Sequence, residues 1–120
     1  MSRIPFIRQT GHHRKISASC SPVSAYKALF ADEKYSFLYE SLESTGKRGR
    51  YSFFGGKPVV IFKSYGDQIE IHADGDVTHM TGDPLRTLRT VLGELKMDAS
   101  VRPFSGSAVG YASYDAVRVF

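Results

Sequence analysis

The sequence predicts an α+β fold: an antiparallel sheet, curled into part of a sandwich or an open barrel, with two main helices against it. Three observations carry that expectation. Two segments open on a capping residue followed by proline and continue with apolar residues at helical spacing. Short aromatic or β-branched runs are divided by Gly-Asp and Asp-Gly pairs, which suit tight hairpin turns. With 42% hydrophobic and 23% charged residues, the composition is that of a globular domain. The 120 residues suffice for one core that buries roughly two-thirds of the unfolded surface, but not for two ordinary domains.

Residues 1–15 are polar and basic without periodicity, so they read as a flexible arm or edge segment preceding a domain over residues 16–120. Ser21-Pro22 starts the first helix, placed over 22–30, with Val23, Ala25, Tyr26, Leu29 and Phe30 as its apolar stripe. Tyr35 to Glu40 and Arg50 to Phe54 read as strands joined by a glycine-rich basic loop. Pro58 to Tyr65, Gln68 to Ala73 and Asp76 to Met80 form a three-stranded meander around Gly66-Asp67 and Asp74-Gly75. In its middle strand Ile69 and Ile71 alternate with Glu70 and His72, so one face is buried and the other wet. Asp83-Pro84 opens a second helix to about Lys96, striped by Leu85, Leu88, Leu92 and Leu95. Ser107 to Ser113 reads as a buried strand. The chain then stops on Val-Arg-Val-Phe in an apolar segment, so a piece of a longer polypeptide or a partner-dependent half is expected.

Composition narrows the chemistry. The longest apolar stretch, 58–62, is far below the ~20 residues that span a bilayer, and the first residues lack a secretory core, so a cytoplasmic protein without membrane association is expected. Cys20 is the only cysteine, which rules out an internal disulfide. The net charge is +4, and of its two knots of basic residues, Arg3 to Lys15 and Lys47 to Arg50, neither matches a recognition helix or an RNA-stacking motif, so no nucleic-acid partner is expected.

His72 and His79 fall on different strands, where zinc ligation is conceivable and a surface or half-buried imidazole is the simpler reading. Cys20 before a helix is a packing residue rather than a thiolate nucleophile, since no base accompanies it. Gly46 to Arg50 opens no helix and so is no phosphate loop. Glu40 and Glu43 are ordinary hairpin charges. No catalytic, cofactor-binding or metal residue is assigned.

Four segments in one order carry a more specific signal. They are Phe37-Leu38-Tyr39-Glu40-Ser41, then Gly49-Arg50-Tyr51-Ser52-Phe53-Phe54-Gly55, then the run from Pro103 to Tyr111, and last Tyr114-Asp115-Ala116-Val117-Arg118. This order resembles the amino-terminal part of anthranilate synthase component I, with its Leu-Leu-Glu-Ser, Gly-Arg-Tyr-Ser-Phe, Pro-Phe-x-Gly-Gly-x-Val-Gly-Tyr and Tyr-Asp-x-Val-Arg segments. Pro22 to Tyr26 also resembles the family's first helix, so the likeness covers about residues 19–120. Tyr39 stands in place of a leucine and Ser107 in place of a glycine.

The resemblance implies a regulatory and structural domain in tryptophan biosynthesis that contributes to a feedback site for L-tryptophan. Ser41 matches the family's ligand-contacting serine. An amino-acid effector needs an acceptor for its ammonium, polar partners and a flat apolar slot, which Glu40, Ser41, and Tyr51 or Phe53 would supply. Read as residues alone, Glu40 and Ser41 end a strand and start a turn; the resemblance makes Ser41 an effector contact and, less firmly, Glu40. The family's catalytic and Mg2+-binding residues lie in a carboxy-terminal chorismate-binding domain with no counterpart here, so this chain alone is expected to be inactive. That domain or chain, and a glutamine amidotransferase subunit, are the implied partners. The equivalent domain of aminodeoxychorismate synthase and a stand-alone protein-interaction module are the alternatives.

Overall fold

The computed structural model describes residues 14–40, 51–94 and 108–119. The expected basic arm (but for Arg14 and Lys15), the loop with Lys47 and Arg48, Ser41, and the end of the second helix at Leu95 and Lys96 lie outside them. The architecture is α+β, with antiparallel sheets of two and three strands and two α-helices, and the sheets do not close into a barrel among the described residues. The chain divides into two compact units, Lys15–Pro58 and Met1–Arg14 with Val59–Phe120.

In the unit over 15–58, helix α1 (Pro22–Phe30) starts where expected: Ser21 is extended, and its hydroxyl accepts from the Ser24 amide at 3.2 Å. Strands β1 (Ser36–Tyr39) and β2 (Phe53–Gly56) pair antiparallel with Leu38 opposite Phe54 and Tyr39 opposite Phe53. The helix covers the even-numbered face of this ribbon. Phe30 meets Phe54 at 6.1 Å between ring centroids, and the Tyr26 and Ser36 hydroxyls are hydrogen-bonded at 2.7 Å. Val23, Ala25, Tyr26 and Phe30 are half-buried as their stripe predicts, but Leu29 is exposed. The second strand also lies further along than its aromatic run suggested, ending in Gly55-Gly56. Bare glycines are required there: a Cβ on Gly56 would stand 2.5 Å from Phe30 Cδ1, and one on Gly55 2.9 Å from Phe37 Cε1.

The other unit holds the meander β3 (Val60–Tyr65), β4 (Gln68–Ala73) and β5 (Asp76–Thr81), in that spatial order. Both turns have two residues. Gly66 alone takes a positive φ (61°) in the first, whereas Asp74 (52°) and Gly75 (78°) both do so in the second, the patterns of II′ and I′ hairpins. Helix α2 (Pro84–Glu94) is capped by the Asp83 carboxylate, which accepts from the Leu85 and Arg86 amides at 3.0 and 3.3 Å. Ile69, Ile71 and Val91 form the core, flanked by Val60, Phe62 and Met80. The helix therefore buries Val91, with Leu88 and Leu92 half-buried beside it and Leu85 exposed. The leucine stripe was read one position off its centre, because three-and-four spacing fixes a face but not its middle residue.

Where a buried strand was expected, Ala108 to Ser113 is in no strand and is exposed throughout. A 3-10 helix follows, Tyr114–Val119. Glycine and alanine make this stretch compatible with a strand, but a strand exists only against a paired edge, and none among the described residues meets it.

Candidate functional site

Alternation along β1 and β2 gives the hairpin two unlike faces. Ser36, Leu38, Phe54 and Gly56 turn toward α1, and the other face carries Phe37, Tyr39 and Phe53, extended by Tyr51 just before β2. Phe37 and Tyr39 pack with centroids 5.6 Å apart and planes at 44°. Tyr51 and Phe53 stack at 6.3 Å and 24°. Since Tyr39 lies opposite Phe53, the two pairs adjoin across the ribbon. Phe37 and Phe53 are half-buried, while Tyr39 and Tyr51 are 53% and 60% exposed. Four rings thus gather on one face of the hairpin as a partly open aromatic plate, with α1 on the opposite face.

Of the residues singled out in the sequence, Tyr51 and Phe53 come together in one stacked pair. Glu40 is exposed and follows Tyr39 directly at the end of β1. Ser41 lies outside the described residues. Phe37 and Tyr39 were not anticipated as part of the site. Their signal was the period-two spacing 37, 39 and 51, 53, which puts four aromatic residues on one face once the two runs are paired.

A second polar cluster occupies the outer face of the meander. Glu70 contacts His72 Nε2 at 3.2 Å and His79 Nδ1 at 3.9 Å, and it faces Lys63 across the ladder. The two histidines expected on separate strands therefore share one carboxylate. Among the described residues, however, no group of three His, Cys, Asp or Glu side chains is placed to hold a metal ion. Hydrogen bonding of Glu70 to His72 along β4, with Lys63 opposite Glu70 on β3, is the chemistry this cluster supports. Cys20 is free and exposed just before the Ser21 cap. Lys57 pairs with Glu33 at 3.7 Å, an exposed contact of little energetic weight. Among the described residues no helix is long and apolar enough to cross a membrane.

The chain is thus an α+β protein whose concentrated aromatic surface belongs to a helix-backed hairpin. It is homologous to the amino-terminal part of anthranilate synthase component 1. It is 39% identical over 101 residues to anthranilate synthase component 1 of Methanothermobacter marburgensis, a match covering 82% of this chain and 21% of the relative. The Mycobacterium tuberculosis H37Rv protein of the same name is 35% identical over 112 residues, covering 88% of the chain and 22% of the relative. That of Streptomyces coelicolor is 32% identical over 110 residues, covering 91% and 18%. The chain spans about one-fifth of the length of the curated relatives it matches. No protein-family model and no solved structure matches it.

Proposed function

We propose that this chain is the regulatory and structural amino-terminal portion of an anthranilate synthase component 1-like protein in tryptophan biosynthesis, and that its aromatic plate is one wall of an L-tryptophan feedback site. The observation that carries the reading is the plate of Phe37, Tyr39, Tyr51 and Phe53, with Glu40 next in the chain, in a chain homologous to that part of the enzyme. Partly exposed rings offer an indole offset or edge contacts, and aromatic pairs contribute about 0.5–1.5 kcal/mol beyond the burial of their area. Glu40 accepts from the ammonium, and Ser41 bonds one of the polar ends. Tryptophan inhibits only by binding one arrangement of the protein better than another, so the site is completed by the polypeptide that makes up the rest of the relatives' length.

In this proposal chorismate chemistry, Mg2+ and any glutamine amidotransferase belong to that remainder, and the setting is the cytoplasm. Among the described residues no group of three His, Cys, Asp or Glu side chains is placed to hold a divalent cation. The relatives named above are anthranilate synthase components, which favours the tryptophan pathway over the folate pathway. The test is Ser41→Ala in the protein that joins this chain to that remainder. Losing a hydrogen bond to a charged ligand group costs about 1.5–3 kcal/mol, so half-inhibition should need at least about tenfold more tryptophan while uninhibited turnover stays near normal. An unchanged half-inhibition in a well-folded variant rules Ser41 out as a contact.

A further inference from the structure

The stretch from Val109 to Ala112 belongs to no helix or strand. It runs with no turn or bend. Among the described residues, Val109, Gly110, Tyr111 and Ala112 make no backbone hydrogen bond, and neither β3 nor β5 takes the segment up along its free edge. Tyr111 is 96% exposed and Tyr114, at the start of the following 3-10 helix, 93%. Unpaired backbone groups on a short apolar run are a template for strand addition. Paired as a strand, the segment would turn Val109 and Tyr111 to one side and the small Gly110 and Ala112 to the other, so one side would present bulk to a core and the other would admit close approach of a second layer.

The relatives indicate what takes up this strand. A match of 101 residues amounts to 21% of the Methanothermobacter marburgensis protein, so about four-fifths of such a polypeptide lies outside the region this chain represents. We propose that Val109 to Ala112 is a docking strand that adds to a sheet edge of that remaining polypeptide, with Tyr111 and Tyr114 buried in the joint. The inference rests on the reading of the chain as one portion of a larger protein. It adds the segment and the mode by which the portions join.

The test uses the intact chain and a full-length chimera in which it replaces the matched fifth of the Methanothermobacter marburgensis protein. Amide exchange at Val109 to Ala112 should be fast in the isolated chain and at least about tenfold slower in the chimera, as expected when open amides become ladder hydrogen bonds. Tyr111→Asp should leave the melting temperature of the isolated chain unchanged and lower that of the chimera. Four results overturn the proposal: equally fast exchange in both proteins, slow exchange in the isolated monomer, protection in the isolated chain that grows with its concentration, and a chimera that does not fold. The third would assign the strand to a second copy. Tryptophan titration of the chimera separates this idea from the regulatory one. Inhibition with fast exchange removes the docking strand alone, and protection without inhibition removes the feedback site alone.

Discussion

Gly56→Ala probes the link between α1 and the aromatic hairpin, because the added methyl would enter space held by Phe30. Its ideal position is 2.5 Å from Phe30 Cδ1 and 3.2 Å from both Cγ and Cε1. Carbon pairs settle near 3.5–4.0 Å, so the ring must retreat by about 1 Å, and the atoms met lie too near its root to swing clear. Retreat also disturbs the Phe30–Phe54 pair at 6.1 Å. Overpacking of this kind costs about 1–3 kcal/mol, against roughly 0.5–1 kcal/mol gained when alanine replaces a glycine that must be ordered. The expected net loss is about 1–2 kcal/mol, read as a lower urea midpoint by far-ultraviolet circular dichroism.

The same substitution in a Phe30→Leu background should cost less than half as much, because the aromatic ring is the obstacle. Touching residues commonly couple by about 0.5–3 kcal/mol, which a double-mutant cycle resolves. A neutral Gly56→Ala, or costs that simply add in the double variant, would refute the close packing of helix on ribbon. If the aromatic plate is the effector wall, displacing Phe54 should also disturb the adjacent Phe53 and weaken tryptophan inhibition in a protein that joins this chain to the rest of the relatives' length.

Three further outcomes are expected. Ile71→Ala, at the fully buried centre of the meander, should lower stability by about 2–5 kcal/mol, whereas Leu85→Ala should change the urea midpoint little; comparable losses would misplace the core. Asp83→Ala removes the acceptor for two amides of α2 and should cost about 1 kcal/mol in a thermal melt, with full retention of stability counting against the cap. The purified chain supplied with chorismate, magnesium and ammonia should form neither anthranilate nor aminodeoxychorismate; fluorescent product above a protein-free control would show that it contains a lyase site.

What the sequence disclosed was mostly local chemistry. Ser21-Pro22 and Asp83-Pro84 mark helix starts by satisfying amides that the first turn leaves open, and Gly66-Asp67 and Asp74-Gly75 accept the φ angles that two-residue hairpins impose. Such features depend on four or five neighbouring residues, so they can be read without a fold. Features that depend on a distant partner could not. The second strand slid into Gly55-Gly56 because Phe37 and Phe30 fill the space where side chains would stand, and nothing in residues 50–56 announces those rings. Val91, rather than a leucine, centres the buried face of α2 because Ile69 and Ile71 meet the helix there.

The candidate site divides along the same line. Tyr51 and Phe53 stand out in the sequence as aromatic residues of a segment that resembles the family's, and the strand register adds the rings they adjoin. Pairing Tyr39 with Phe53 merges two ring pairs into one surface. Tyr39 replaces a leucine of the family segment, so this chain carries a ring where that segment has an aliphatic side chain. If the plate is the effector wall, Tyr39→Leu should weaken tryptophan inhibition in the complete protein without abolishing it, since three rings remain. Loss of one offset or edge contact corresponds to about 0.5–1.5 kcal/mol, or roughly a twofold to tenfold rise in half-inhibition. Ser41→Ala should act through the polar end instead, so the two effects should combine independently. A Tyr39→Leu variant inhibited like the parent would place the indole elsewhere, leaving the rings as a packing surface for the rest of the protein.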